Sequence, residues 1–230
     1  MQQPDLLAPL RSSPLFNQCA DEALLEIQRR LRTRHFRRGE VIFHQGDPGD
    51  ALHVVASGSV KIVLPSSEGD EAIIATLRPG DFFGELALLD GAPHSATAAA
   101  VETTETLTLP RAVFLDLLGE EPALRDALLK GLAVELRRLT GHVEELHFLD
   151  LAGRLAMRLV RLGEEGEPGP GHERSLDWPY TQSDLAAMIG GTRQSVNRLL
   201  SDLVEEGLIR IERDRLIIPD LDELARRAER

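Results

Sequence analysis

The sequence predicts an α+β fold: a short-stranded antiparallel domain, then one long helix, then a small helical domain that ends in a hairpin. Three observations predict it. The hydrophobic period changes twice along the chain, glycine and proline punctuation is dense in the first half, and the stretch from Pro122 to Phe148 contains no turn dipeptide. At 230 residues the chain is long for one domain and comfortable for two. The boundaries expected are residues 1–118, 119–148 and 149–230.

The first region, from about Leu15 to Leu118, reads as strands. Glycines recur at Gly39, Gly46, Gly58, Gly69, Gly80 and Gly84, most of them beside proline or polar residues, as in Gln45-Gly46-Asp47-Pro48-Gly49-Asp50. Between them lie β-branched and apolar runs: Val41-Ile42-Phe43, Leu52-His53-Val54-Val55, Val60-Lys61-Ile62-Val63-Leu64 and Ala72-Ile73-Ile74-Ala75. Short strands at this turn spacing predict an antiparallel sandwich or barrel, of which the double-stranded jelly roll is one.

The second region has a helical period. Leu124, Leu128, Leu132, Leu136, Leu139, Val143 and Leu146 form one apolar stripe, and from Leu132 onward the steps alternate four and three. That is a heptad seam, which a second copy of the helix would cover. A helix packed on its own domain gives a similar stripe. Glu135, Arg137, Arg138, Glu144 and Glu145 are expected to keep its flanks solvated.

The third region alternates helices with a Gly/Pro/Glu-rich loop, Gly163 to Glu173. After Trp178-Pro179-Tyr180, Thr181 and Asp184 have the spacing of a capping box for a helix from Gln182 to Ile189. Gly190-Gly191 ends it, Thr192 caps a second helix from Arg193 to Glu206, and Gly207 stops that one. Residues 208–211 and 215–218, with Arg213-Asp214 between them, read as a hairpin or wing.

A short helix, a glycine-containing turn and a longer helix make the helix-turn-helix pattern. Leu185, Ala186, Ile189, Val196, Leu199, Leu200 and Leu203 would pack the two helices together. Arg193, Gln194, Asn197 and Arg198 are left facing outward near the start of the second helix, where side chains reach base edges in the major groove. Arginine pairs bidentately with guanine and glutamine with adenine, each worth about 1–3 kcal/mol of discrimination. Thr181, Ser183 and Thr192 could donate hydroxyls to phosphates. The net charge of −12 argues against tight non-specific binding, but footprints are local. Ala186 to Ser201 holds two arginines and no carboxylate.

Composition excludes several classes. No apolar run approaches about 18 residues, so no membrane span is expected, and Met1 to Ser13 lacks the pattern of a secretory signal. The expected compartment is the cytoplasm. Cys19 is the single cysteine, which leaves no internal disulfide and no ligand set for an iron–sulfur cluster or a cysteine zinc site.

One stretch of the strand region stands out as a connection: Phe83-Gly84-Glu85-Leu86-Ala87-Leu88-Leu89, then Asp90 to Pro93, then His94-Ser95-Ala96-Thr97-Ala98. Small residues let backbone N–H groups approach an anion, Ser95 could donate one more hydrogen bond, and Glu85 could accept from a sugar hydroxyl. On these residues alone, a structural turn with a capped carboxylate is the simpler reading.

Two stretches carry a resemblance. Thr181 to Ile209, with its Gly-Gly-Thr-Arg-Gln-Ser-Val-Asn-Arg core, resembles the winged helix-turn-helix of the cyclic AMP receptor protein/fumarate–nitrate regulator family. The resemblance implies that Arg193, Gln194 and Arg198 read bases of a palindromic double-stranded site. Glutamate is the family's usual residue at position 194, so the preferred half-site is expected to differ there. The Phe-Gly-Glu-Leu stretch followed by Ser-Ala-Thr-Ala resembles the phosphate-binding cassette of cyclic-nucleotide domains. By that resemblance Gly84 and Glu85 hold the ribose 2′-hydroxyl, and Ser95 with nearby backbone amides holds the cyclic phosphate. The implied ligand set is Gly84, Glu85, Leu86, His94, Ser95 and Ala96, with Leu139 and Thr140 on the long helix. Thr140 matches a polar residue that contacts adenine across the dimer, and Leu139 departs from a usual polar one. Family members usually contact RNA polymerase, so the resemblance implies promoter activation by the homodimer that the heptad seam predicts.

The largest departure is His94, where cyclic-AMP-binding members carry arginine. Arginine clamps phosphate with two parallel bonds and is always charged, whereas imidazole offers one donor per side and is only partly protonated near neutral pH. Losing the clamp should weaken phosphate binding by about 1–3 kcal/mol. Three outcomes stay open: cyclic AMP bound weakly and with pH dependence, another small ligand, or none. A rival reading is an enzyme, because jelly rolls also house metal-dependent oxygenases and isomerases. The seven histidines show no H-x-H-and-Glu cluster at ligand spacing, so no metal and no enzyme activity are expected.

Overall fold

The computed structural model describes residues 7–66, 71–164, 166–178, 180–212 and 215–228. Gly69, Pro179 and the expected wing turn Arg213-Asp214 lie outside the described residues. The chain divides into two compact units, Met1–Arg137 and Arg138–Arg230.

The first unit opens with helices α1 (Leu7–Ser12) and α2 (Asp21–Arg30), followed by β1 (Arg32–Phe36), β2 (Val41–Phe43), β3 (Ala51–Ser57), β4 (Val60–Pro65), β5 (Glu71–Leu77) and β6 (Phe82–Phe83). A short helix α3 (Glu85–Asp90), β7 (Thr97–Ala100), β8 (Thr104–Pro110) and α4 (Arg111–Glu120) complete it, and α5 (Pro122–Phe148) leads out of it. Among the described residues the strands form two four-stranded antiparallel sheets, in the orders β1-β8-β3-β6 and β2-β7-β4-β5. This is the jelly roll expected from the turn spacing.

The start of the unit corrects the strand-like reading. Residues 21–30 are helical because Asp21 and Glu22 sit in the first turn, Arg29 and Arg30 in the last, and Leu24 and Ile27 fall on one buried face. That face joins a core in which Leu52, Val54, Leu107 and Leu109 of the first sheet meet Phe114 of α4 and Leu124 and Leu128 of α5. Side chains alternate across a strand. The other face of β8 therefore carries Thr104, Thr106 and Thr108, all buried, and the other face of β3 carries His53 and Val55.

Helix α5 has the bounds expected from the sequence, but its stripe is divided. Leu124 and Leu128 are buried in the first unit and Leu132 packs against the same core, whereas Leu136, Val143 and Leu146 are exposed. The flanks also differ from expectation: Glu135 is half-buried, and the side chain of Glu145 is largely covered and bonded to Arg161.

In the second unit, α6 (Leu151–Glu164) is followed by β9 (Glu167–Pro168), β10 (Arg174–Asp177), α7 (Gln182–Ile189), α8 (Arg193–Glu205), β11 (Arg210–Glu212), β12 (Arg215–Ile218) and α9 (Leu221–Ala228). The segment read as a loop from Gly163 thus contributes the end of α6 and strand β9, because residues 167–168 pair with residues 174–175. The hairpin β11–β12 extends through β10 to β9 as one antiparallel sheet. Helix α6 buries Leu155, Leu159 and Leu162, and Asp150 accepts a hydrogen bond from the Gly153 N–H at 2.7 Å. Gly153 is required by space: a Cβ there would stand 2.6 Å from the backbone oxygen of Ala228 in α9. Gly153→Ala is therefore expected to lower stability by about 1–3 kcal/mol, read as a shift in the urea midpoint at unchanged slope.

Candidate ligand pocket and nucleic-acid interface

In the first unit the candidate cassette begins where β6 ends. Gly84 adopts φ +87°, a left-handed conformation that glycine reaches without strain, and this turns the chain into α3. A Cβ at Gly84 would lie 3.2 Å from the Ala51 backbone oxygen and within 3.7 Å of His94 Cε1 and Phe43 Cε1. The cassette and the ring of His94 are thus one packed group. Backbone bonds fix its other side: the His94 N–H donates to Asp47 O at 2.8 Å, and the Gly46 N–H donates to His94 O at 2.9 Å. Gln45 adds two more, from its N–H to Thr97 Oγ1 at 2.9 Å and from Nε2 to Ser95 O at 3.1 Å. Sequence reasoning had treated Gln45 only as part of a turn.

The His94 ring does not project as a solvated cation. It is 6% exposed and stacks on Phe43 with centroids 3.6 Å apart and planes 5° from parallel. Burial holds its pKa below the ordinary histidine value against the opposing fields of Asp50 and Asp47. A second imidazole continues the cluster. His53 is 2% exposed, lies 4.9 Å from the Phe83 ring and 5.9 Å from Phe43, and has Nδ1 3.3 Å from Thr106 Oγ1. Its pKa is pushed down to about 4, chiefly by burial and then by the positive charge of Arg34.

Of the other expected ligand residues, Ala96 is buried, while Leu86 and Ser95 are exposed. Glu85 is half-buried, and its carboxyl lies above the ordinary range, first through burial and then through the charge of Glu135. Leu139 and Thr140 lie exposed on the part of α5 that belongs to the second compact unit. Among the described residues, no group of three or more His, Cys, Asp or Glu side chains could hold a metal ion. No described helix is long and apolar enough to cross a membrane.

In the second unit both helix caps form as the spacing predicts. The Thr181 hydroxyl accepts from the Asp184 N–H at 3.1 Å, and Asp184 Oδ2 accepts from the Thr181 N–H at 2.9 Å. The same hydroxyl donates to Asp184 Oδ2 at 2.7 Å, so a phosphate would compete with the cap for that proton. Thr192 accepts from the Ser195 N–H at 3.2 Å and starts α8. Leu185, Ala186 and Ile189 of α7 and Val196, Leu200 and Leu203 of α8 are buried, with Leu199 half-buried. Arg154 of α6 donates to the Ile189 carbonyl at 2.8 Å, which holds the end of α7 at the turn.

This packing leaves Ser183, Thr192, Arg193, Gln194 and Arg198 exposed, the last three along the start of α8. Asn197 departs from the outward set. It is half-buried, and its Oδ1 is buried without a hydrogen-bond partner among the described residues.

Comparison with known proteins agrees with both units. Residues 33–121 match the cyclic nucleotide-binding domain family, and residues 153–227 match the Crp-like helix-turn-helix domain. A CRP-like cAMP-activated global transcriptional regulator of Mycobacterium tuberculosis is 31% identical over 219 residues, covering 95% of this chain and 98% of the relative. A cyclic AMP receptor protein of Thermus thermophilus is 38% identical over 206 residues, covering 88% and 90%. The solved structure of a CRP/FNR-family transcriptional regulator from Thermus thermophilus superposes with a TM-score of 0.67 at 31% identity, over 86% of this chain and 99% of that one. A jelly roll with the cassette, a long helix and a capped helix-turn-helix, matched along nearly the whole chain by such relatives, means that the chain belongs to the cyclic AMP receptor protein/fumarate–nitrate regulator family of transcription regulators.

Proposed function

We propose that the protein is a homodimeric regulator that reads a palindromic DNA site with Arg193, Gln194 and Arg198, under the control of a small ligand in its jelly roll. One observation carries this reading: α8 buries Val196, Leu200 and Leu203 and leaves those three long polar side chains exposed on the opposite side of its first turns. Ser183 and Thr192 serve as phosphate contacts, and Thr181 does so in competition with its cap. Asn197, half-buried, is left out of the base-reading set. The exposed half of the α5 stripe is covered by the same stripe of a second copy, which sets two recognition helices roughly 34 Å apart on successive major grooves. Membership of the family supports extending this reading to contact with RNA polymerase, promoter activation and action in the cytoplasm.

Cyclic AMP is the ligand supported by the cassette and by the names of the relatives. Gly84, Glu85, Leu86, Ser95 and Ala96 form its site, and Leu139 and Thr140 are assigned to adenine by family pattern. The buried His94, stacked on Phe43, favours a second reading: a weak response to cyclic AMP, another small ligand, or none. A ligand shifts the population of dimer arrangements only as far as it prefers one of them. Fluorescence anisotropy on a palindromic TGTGA-like duplex, with and without cyclic AMP, tests both parts. A binding curve that cyclic AMP leaves unchanged would remove the ligand while DNA binding stands, and absence of specific binding would remove the regulator. His94→Arg restores an always-charged bidentate clamp and is expected to tighten cyclic AMP binding by about 1–3 kcal/mol, roughly 5- to 150-fold. No gain by calorimetry would mean that the pocket is not built for that phosphate.

A further inference from the structure

The sheet of the second unit has two unlike faces. Leu216 and Leu176, cross-strand partners in its middle, are both buried. Side chains alternate along a strand, so the opposite face carries Glu212, Arg215 and Asp177 in one row across the strands. Arg210, Ile217, Ser175 and Glu167 make the next row. Glu173, two residues before Ser175, falls on the same side. The two arginines of the described β11–β12 pair are both held on this face. Arg215 donates from Nη2 to Glu167 Oε2 at 2.7 Å and from Nε to Ser175 Oγ at 3.1 Å, reaching over β10 to β9. Arg210 donates from Nη2 to Glu173 Oε2 at 2.9 Å, and Glu212 Oε1 stands 4.0 Å from its Nε.

This face travels with the reading helix. Only residues 206–209 separate α8 from β11, and the Leu208 and Ile209 N–H groups both donate to Leu203 O, at 2.9 and 3.4 Å. A helix laid in the major groove therefore brings the sheet alongside the phosphates that border the groove. We propose that Glu167 and Glu173 mask Arg215 and Arg210 from that backbone and so hold down the sequence-independent part of the DNA affinity. The inference rests on the reading that α8 enters the groove. A guanidinium that leaves a carboxylate for a phosphate trades one monoanion for another, and it abandons the first beside a like charge. A neutral pair also displaces no counterions from DNA, and that displacement is the main source of non-specific binding. The base contacts of Arg193, Gln194 and Arg198 are thereby left to decide a larger share of the total affinity.

The test compares the full-length wild type with the double variant Glu167→Gln/Glu173→Gln, by fluorescence anisotropy on a palindromic and a scrambled duplex over a range of salt concentrations. Surface ion pairs add little to stability, so the two proteins should share one thermal transition. The freed guanidiniums are expected to raise affinity for the scrambled duplex on the order of tenfold at about 0.1 M salt. They should also steepen the slope of log affinity against log salt by about 1 to 2. Adding Arg210→Gln and Arg215→Gln to the double variant should cancel both gains, which a mere loosening of the sheet would not do. Asp116→Asn/Glu120→Gln removes the same two charges from the exposed surface of α4 in the first unit and should leave the slope as it was. Wild-type affinity and slope in Glu167→Gln/Glu173→Gln overturn the proposal, and so does an equal gain in the α4 variant. A wild type that binds both duplexes alike sinks the base-reading role of α8 instead, while the scrambled duplex still decides the masking.

Discussion

Replacing Arg193 and Arg198 together by alanine is expected to abolish sequence-specific DNA binding without disturbing the fold. Each guanidinium that pairs bidentately with a guanine contributes about 1–3 kcal/mol of discrimination. Two such contacts, if independent, amount to about 2–6 kcal/mol, a loss of roughly 30-fold to more than 10⁴-fold in specific affinity. Both side chains are exposed, while Val196, Leu200 and Leu203 stay buried beneath them. The thermal transition of the variant should therefore lie within about 0.5 kcal/mol of the wild type. Anisotropy titrations on a specific and a scrambled duplex, at two salt concentrations, separate lost base reading from lost phosphate attraction. Specific binding that survives the double substitution would show that another surface reads the site.

Acid is expected to destabilise the jelly roll through His53. The folded protein holds this imidazole neutral down to about pH 4, whereas an unperturbed histidine takes up its proton near pH 6.5. Because the folded-state pKa is depressed, the stability contributed by the neutral ring is complete above about pH 6.5. It drains away as the pH falls toward 4, where the unfolded chain is charged and the folded one still resists. The gap corresponds to a loss on the order of 3 kcal/mol across that window. His94, also held below its ordinary value, adds to the loss with the same sign. Urea midpoints of the jelly-roll transition, measured from pH 7.5 to pH 4.5, give the size of the effect. His53→Asn keeps a polar group near the position of Nδ1 and the bond to Thr106, so the comparison concerns pH dependence rather than absolute stability. An equally steep acid loss in that variant would place the effect on other groups.

What the sequence disclosed, and what it hid, divides along the range of the forces involved. The bounds of α5, both helix caps and the buried rows of α7 and α8 rest on neighbours three or four residues apart, and these appear directly in the order of residues. The strands between Val41 and Ala75 were legible for the same reason. Helix α2 was missed because its short amphipathic face lies at the edge of a region read by its glycines. Strand β9 was missed because two residues in a Gly/Pro-rich stretch become a strand only when β10 is beside them. The ring cluster had no local trace at all: Phe43, His53, Phe83 and His94 come from four separate segments. The half-burial of Glu135 was hidden likewise, since its sequence neighbours suggested a solvated flank, whereas the packing of Leu124, Leu128 and Leu132 on the first unit sets the rotation of the helix. Asn197 looked outward by spacing alone, because a half-step around a helix decides whether an amide meets solvent or its own domain.

The bare apolar edge along the later half of α5, ending in a Phe148 that is 80% exposed, bears on dosage. A lone subunit carries one reading head and an unsatisfied oily seam. Below the concentration at which subunits associate, occupancy of a twofold operator therefore rises with the square of the amount of protein rather than in proportion to it. Halving expression would then silence a target about fourfold, so the cell can set a threshold through the abundance of this chain alone.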